Sequence, residues 1–377
     1  MVTRRLTIKK CNRVHPIRVV GPTDFTTEAA GEIKPEEVLR DPKFSLYCFD
    51  PENASAIFVE ASDPSAVDRA PFYYQAQVQY AVGLVSMPFD AFHKVTAAIP
   101  EPPKGLIFIH SVGRCGSTLI SKVLEGIPAI HSLSEPDDLT QMVGLRAEGF
   151  PDEALRRLLE SSVRWRCKPR LGSAVGHVAI KSRSEVMVLA DLLGPAFPHS
   201  KHFFLYRDGV SWMRSVFRGW SPERDVYDED LNRKMETSWS NTIPLVRELS
   251  RNEAPMNAIQ IRVLAWITCM EGYLRLKATD IPLSCARYED LTANPIPILE
   301  QFFAFCGIDD VNWTVIHEVL GRDSQAGTIY DREERRKQGR ELTPELEQDV
   351  RGMIALRPLL STSDVVLPGT LSFPLQT

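Results

Sequence analysis

No stretch of the 377-residue chain approaches the roughly 20 consecutive apolar residues that a membrane-spanning helix needs. The segment Met1 to Cys11 is basic and polar and has no apolar core, so no secretory signal is visible in it and a cytoplasmic setting is expected. The seven cysteines are odd in number and widely spaced. None forms a CxxC pair, and no histidine stands at zinc-ligand spacing from them, which leaves reduced, buried thiols as the reading. Long runs of one charge are also missing. With a net charge of −5 the chain is not a polybasic nucleic-acid binder, although a local basic pocket remains compatible with that total. The hydrolase signatures GxSxG and HExxH do not occur.

What is present suits an ordinary globular chain, 44% hydrophobic and 25% charged, long enough to bury its own core. Phe44–Phe49 and Ala56–Val59 are apolar runs separated by the turn cluster Asp50-Pro51-Glu52-Asn53, which predicts a hairpin. Tyr74, Val78, Ala81, Val82 and Val85 recur at helical spacing and predict an amphipathic helix over Pro71–Val85, with Gln75, Gln77 and Gln79 on its surface. Glu101-Pro102-Pro103-Lys104 is a stiff connector. It divides a small α+β unit, residues 1–100, from a second domain, residues 104–377.

Beyond the connector, strands and helices alternate. Strands are expected at Gly105–His110, His177–Lys181, His202–Arg207 and Leu283–Tyr288. Helices are expected at Gly116–Gly126, Glu185–Leu193, Val210–Arg218 and Pro295–Cys306, with longer helical patterns over Asp228–Arg251 and Met256–Lys277. This alternation predicts an α/β fold, a P-loop-like parallel sheet with helices on both faces.

Two places on this sheet carry candidate chemistry. The first strand runs into Ser111-Val112-Gly113-Arg114-Cys115-Gly116-Ser117-Thr118 and then a helix, a loop that can offer backbone N–H groups to an anion. Set against the Walker A pattern GxxxxGK[ST], Ser117 replaces the lysine and Ser111 the first glycine, and the positive charge moves to Arg114. The third strand ends in Arg207, with Ser215 eight residues on, about two turns along the next helix. A guanidinium and a hydroxyl together make a clamp for a second phosphate.

These two pieces together resemble the sulfotransferases that use 3′-phosphoadenosine 5′-phosphosulfate (PAPS). In that family a basic residue followed by small residue, Gly, Ser/Thr and Thr binds the 5′-phosphosulfate, and Arg114, Cys115, Gly116, Ser117 and Thr118 match it. The family's arginine and serine, eight apart, hold the 3′-phosphate and match Arg207 and Ser215. A Tyr-Glu-Asp segment ending a late strand matches Tyr288-Glu289-Asp290, which the resemblance places near the adenine. The likeness runs from about Lys104 to Cys306; beyond it, Arg336 to Arg340 looks like a shortened basic loop over the 3′-phosphate. PAPS is thus the implied sulfuryl donor, with no metal. The acceptor, a small molecule or carbohydrate, is unidentified, and neither a nucleic-acid partner nor a membrane span is expected.

Sulfuryl transfer needs an aligned donor, stabilised charge on the leaving oxygen, and a base for the acceptor hydroxyl. Arg114 serves the leaving group, and Lys181, ending the second strand, is positioned by resemblance to reach the sulfuryl group. The histidine that the cytosolic branch carries two residues further is Arg183 here, a residue that stays protonated. Other branches use a glutamate after the first helix, and Glu135 in Ser134-Glu135-Pro136 supplies one; Asp137, Asp138 and His131 are alternatives. Residues 1–100 are expected to pack on the acceptor site. A degenerate P-loop kinase would need a loop lysine and an acidic metal ligand at a strand end, and a non-catalytic nucleotide-binding scaffold would be expected to lose Glu135 or Lys181.

Overall fold

The computed structural model describes residues 2–13, 15–101, 104–168, 175–219, 225–250, 256–322 and 340–372. They form two five-stranded sheets and cluster into two compact units. One unit comprises Met1–Ile107, Pro128–Ser182 and Leu192–His199; the other comprises Phe108–Ile127, Arg183–Asp191 and Ser200–Thr377.

The first unit holds an antiparallel sheet of β1 (Arg4–Cys11), β2 (Phe25–Glu32), β3 (Phe44–Asp50), β4 (Ser55–Ala61) and β5 (Ala81–Pro88), in the order β2-β1-β5-β4-β3. The expected hairpin is β3–β4, with Phe44 opposite Glu60 and Asp50 opposite Ser55. Both strands are almost wholly buried, so they read as continuous rather than alternating apolar runs. The Phe58 ring lies 5.7 Å from Phe92, on the helix Phe89–Ala97, and 4.6 Å from Trp165, on the helix Asp152–Arg166. At the edge of the sheet, the Gln141 amide exchanges two 2.7 Å hydrogen bonds with the Phe49 backbone, which satisfies part of an open strand edge.

The helix expected over Pro71–Val85 is only Tyr73–Gln79; Ala81–Pro88 is the strand β5. The three-residue step from Val82 to Val85 suits a helix but puts the two on opposite faces of a strand, Val82 exposed and Val85 buried, and pairing with both β4 and β1 decides for the strand. Gln77 is likewise not a surface residue. It is 1% exposed and donates to Ser45 Oγ at 2.9 Å and to Leu46 O at 2.8 Å, which satisfies its amide inside the core.

The second sheet is parallel and flanked by helices, as the alternation of elements predicts. It contains β6 (Gly105–Ser111), β7 (Ile130–Ser134), β8 (His177–Lys181), β9 (Lys201–Tyr206) and β10 (Leu283–Arg287), in the order β10-β9-β6-β8-β7. The strand of this sheet that comes first in the chain, β6, is therefore central. The C-terminal ends of these strands lead directly into Val112, Glu135, Ser182, Arg207 and Tyr288, and such ends are where open parallel sheets bind ligands. The helical stretch Asp228–Arg251 is two helices, Glu229–Ser240 and Pro244–Leu249, because Pro244 cannot continue the first. Glu185–Leu193 begins as a 3₁₀ segment, Ser184–Leu189, before the helix Ala190–Ala196.

Candidate functional site

The loop after β6 is shaped by three left-handed residues: Gly113 (φ 74°), Arg114 (φ 55°) and Gly116 (φ 84°). Two are glycines, for which this region costs little; Arg114 is not, and its conformation stores on the order of 1 kcal/mol. The surroundings hold it there. Val112 N donates to Leu205 O at 3.1 Å, and Trp212 Nε1 donates to Val112 O at 3.0 Å. Gly113 N donates to Ser111 Oγ at 3.2 Å, and Ser111 Oγ in turn donates to Ser117 Oγ at 3.3 Å. A Cβ on Gly116 would stand 3.3 Å from Leu291 Cδ2 and 3.5 Å from Tyr288 Cδ2. The loop then opens the nine-residue helix Ser117–Glu125, whose first N–H groups have no intrahelical partner.

Not every loop side chain is available to a ligand. Cys115 is fully buried and its Sγ donates to Leu205 O at 3.2 Å, so only its backbone could serve. Ser117 and Thr118 are nearly buried.

Arg207 joins the separate motifs. Its Nη1 donates to Arg114 O at 3.3 Å, its Nε donates to Ser211 Oγ at 2.8 Å, and its guanidinium lies 4.3 Å from the centre of the Tyr288 ring. Trp266 Nε1 fixes the backbone below by donating to Arg207 O at 3.0 Å. Burial pulls the Arg207 guanidinium below its ordinary range, opposed by the neighbouring Tyr288 and Glu289. Asp208 caps the helix Gly209–Phe217 by accepting from Ser211 N at 2.7 Å. Ser215 lies on that helix one turn beyond Ser211 and is half-buried. Ser211 was not singled out in the sequence, although its place four residues after Arg207 is the spacing that faces it. Glu289 accepts from Ser211 Oγ at 2.9 Å.

In the other unit, β7 and β8 pair in parallel, with Ser134 opposite Lys181. Glu135 leaves β7 in a left-handed conformation (φ 62°), and its N–H donates to Lys181 O at 2.6 Å. The Lys181 ammonium, 3% exposed, is ion-paired with the Glu135 carboxylate, whose side chain is 13% exposed. The alternative carboxylates are engaged elsewhere. Asp137 accepts from Val20 N at 3.0 Å, and Asp138 is fully buried against Arg166 and Ser162. His131 sits within β7, level with Val178. Ser134 Oγ donates to Pro71 O at 2.8 Å, so the N-terminal segment touches both flanks of Glu135. Arg183 lies in the other unit, 3.9 Å from Glu185. Of the late basic segment, Arg336 to Gly339 lie outside the described residues; Arg340 is placed over the Phe217 ring at 4.6 Å.

No protein-family model matches the chain, and no curated protein does. Among solved structures it is similar to several sulfotransferases. A sulfotransferase from Alicyclobacillus acidocaldarius is 16% identical with a TM-score of 0.41, over 70% of this chain and 96% of that one. The sulfotransferase domain from the curacin biosynthetic pathway is 16% identical with a TM-score of 0.38, over 68% of this chain and 99% of that one. A mouse sulfotransferase complexed with PAP is 13% identical with a TM-score of 0.35, over 70% of this chain and 88% of that one. Among the described residues, no helix is long and apolar enough to cross a membrane.

Proposed function

We propose that the chain is a sulfotransferase that moves a sulfuryl group from PAPS to the hydroxyl of an acceptor. One observation carries the reading. Arg207 bonds the backbone of the loop at Arg114 and stacks on Tyr288, so three motifs read separately in the sequence converge on one cation. A strained anion loop with an arginine, but without the P-loop lysine, suits a phosphosulfate held by backbone amides and guanidinium.

In this reading the amides from Cys115 to Thr118 and the Arg114 side chain hold the 5′-phosphosulfate, and Arg207 with Ser215 holds the 3′-phosphate. Tyr288 borders the adenine. The acceptor oxygen attacks sulfur in line with the bridging oxygen, the S–O bond to the donor breaks, and adenosine 3′,5′-bisphosphate leaves. Charge developing on that leaving oxygen is met by Arg114 and the amides. Glu135 takes the acceptor proton. Its ion pair with Lys181 holds the carboxylate in place.

Incubation with PAPS and a pooled metabolite extract tests the reading, with mass spectrometry for products heavier by SO₃. Sulfated products together with adenosine 3′,5′-bisphosphate are expected. Thermal stabilisation by ATP–magnesium but not by adenosine 3′,5′-bisphosphate would instead support the kinase alternative.

A further inference from the structure

The Arg207 cluster contains a carboxylate that the proposed chemistry does not use. Glu289 lies in the first turn of the helix Tyr288–Ala293. Its Oε1 accepts from Ser211 Oγ at 2.9 Å, and that hydroxyl itself accepts from Arg207 Nε at 2.8 Å. Oε1 stands 3.9 Å from Arg207 Nε. The other oxygen, Oε2, is closed off from solvent and has no hydrogen-bond partner among the described residues. Such a group is poorly satisfied where it sits.

The neighbouring carboxylates have other work. Asp290 binds Arg287 through contacts of 3.1 and 3.2 Å, and Asp208 caps the helix below. Glu289 is therefore the counter-charge available to a guanidinium that is largely withdrawn from water. A phosphate arriving on Arg207 would bring more negative charge beside Glu289, and two anions would compete for one cation. Ser211 bridges both partners, and a hydroxyl can turn its proton from one acceptor to another.

Resting on the sulfotransferase reading above, we infer that Glu289 is the counter-ion that Arg207 exchanges for a phosphate of the nucleotide, and that it thereby speeds release of the nucleotide product. The test is calorimetric titration of adenosine 3′,5′-bisphosphate and of inorganic sulfate into the wild type and the variants Glu289→Gln, Arg207→Ala and their double variant. Stopped-flow measurement of nucleotide dissociation accompanies it. Glutamine keeps an acceptor for Ser211 and removes the charge. Glu289→Gln is expected to bind the bisphosphate about threefold tighter, through slower dissociation, as loss of a partly exposed charge contact implies. The gain should vanish when Arg207 is absent.

Weaker or unchanged binding by Glu289→Gln, or a gain that survives without Arg207, overturns the exchange. If the wild type bound sulfate but not the nucleotide, and Glu289→Gln gained sulfate affinity, the exchange would stand and the sulfotransferase reading would fall. Binding of neither ligand rejects both.

Discussion

At the scale of single residues, the Glu135–Lys181 pair makes the sharpest statement. A buried ammonium is stable only beside an anion, and Lys181 is 3% exposed. Glu135→Gln is expected to lower kcat by ~10²–10⁴-fold while leaving the dissociation constant of adenosine 3′,5′-bisphosphate nearly unchanged. A variant with normal kcat would remove Glu135 as the base. Asp137 and Asp138 are already hydrogen-bonded within the unit, so replacing them should cost stability first. Arg207→Ala removes a charge-assisted contact worth roughly 1.5–3 kcal/mol. It should weaken adenosine 3′,5′-bisphosphate much more than adenosine 5′-phosphate, and equal losses in a competition assay would contradict the 3′-phosphate role.

At the scale of elements, the turn from β6 into its helix depends on Gly116. Alanine there must adopt φ near 84° and brings a Cβ within 3.3 Å of Leu291. Gly116→Ala is expected to destabilise the fold by about 1–2 kcal/mol, a drop of a few degrees in Tm, through the strained φ and the push on Leu291. β6 and β9 also carry a buried histidine pair. His110 Nε2 and His202 Nδ1 are 3.0 Å apart, and His202 Nε2 is 3.0 Å from Ser200 Oγ. Burial pulls His110 down to about 4, and burial followed by the His110 charge pulls His202 well below its usual range. Depressed histidines favour the neutral form in the fold, so their stability is fully present above the unfolded value near 6.5 and is lost as pH falls from there towards 4. The expected loss is on the order of 2 kcal/mol by chemical denaturation at pH 5 against pH 7. A His110→Asn/His202→Asn double variant should flatten that slope, and an unchanged slope would place the acid sensitivity elsewhere.

At the scale of the molecule, the N-terminal segment is built into a unit that also contains the Glu135–Lys181 pair. Phe58 and Phe92 pack against Trp165, Gln141 binds the Phe49 backbone, and Lys168 donates to Phe44 O at 3.0 Å. A chain lacking residues 1–100 would leave those apolar faces bare. It is expected to be aggregation-prone, and a soluble truncated protein with a cooperative thermal transition would show that the contacts are dispensable. Trp165→Ala, a change costing about 3–5 kcal/mol in a packed core, is the milder probe of the same dependence.

The local signals that were legible are those where one kind of residue answers one kind of backbone demand. Glycines at left-handed positions marked the loop, β-branched and aromatic runs marked β3, β4 and β9, and the eight-residue step from Arg207 to Ser215 marked a strand feeding a helix. Chemistry that depends on which residues meet across the fold was not legible. β1 and β2 are eight-residue strands that are largely exposed and lack a long apolar run, and only pairing with β5 and with each other makes them a sheet. β5 was not legible because Ala81, Val82 and Val85 stand at helical spacing, and only pairing with β4 and β1 makes the run a strand. Glu289 came onto Ser211, and Glu135 onto Lys181, through contacts spanning 78 and 46 residues of chain. By itself, the sequence determined the strand-and-helix alternation and the glycine-bearing turn from β6 into its helix, because both are local responses of backbone to side chain. Tertiary structure alone decided which charges pair, because the partner of a buried ion is chosen by packing and not by sequence distance.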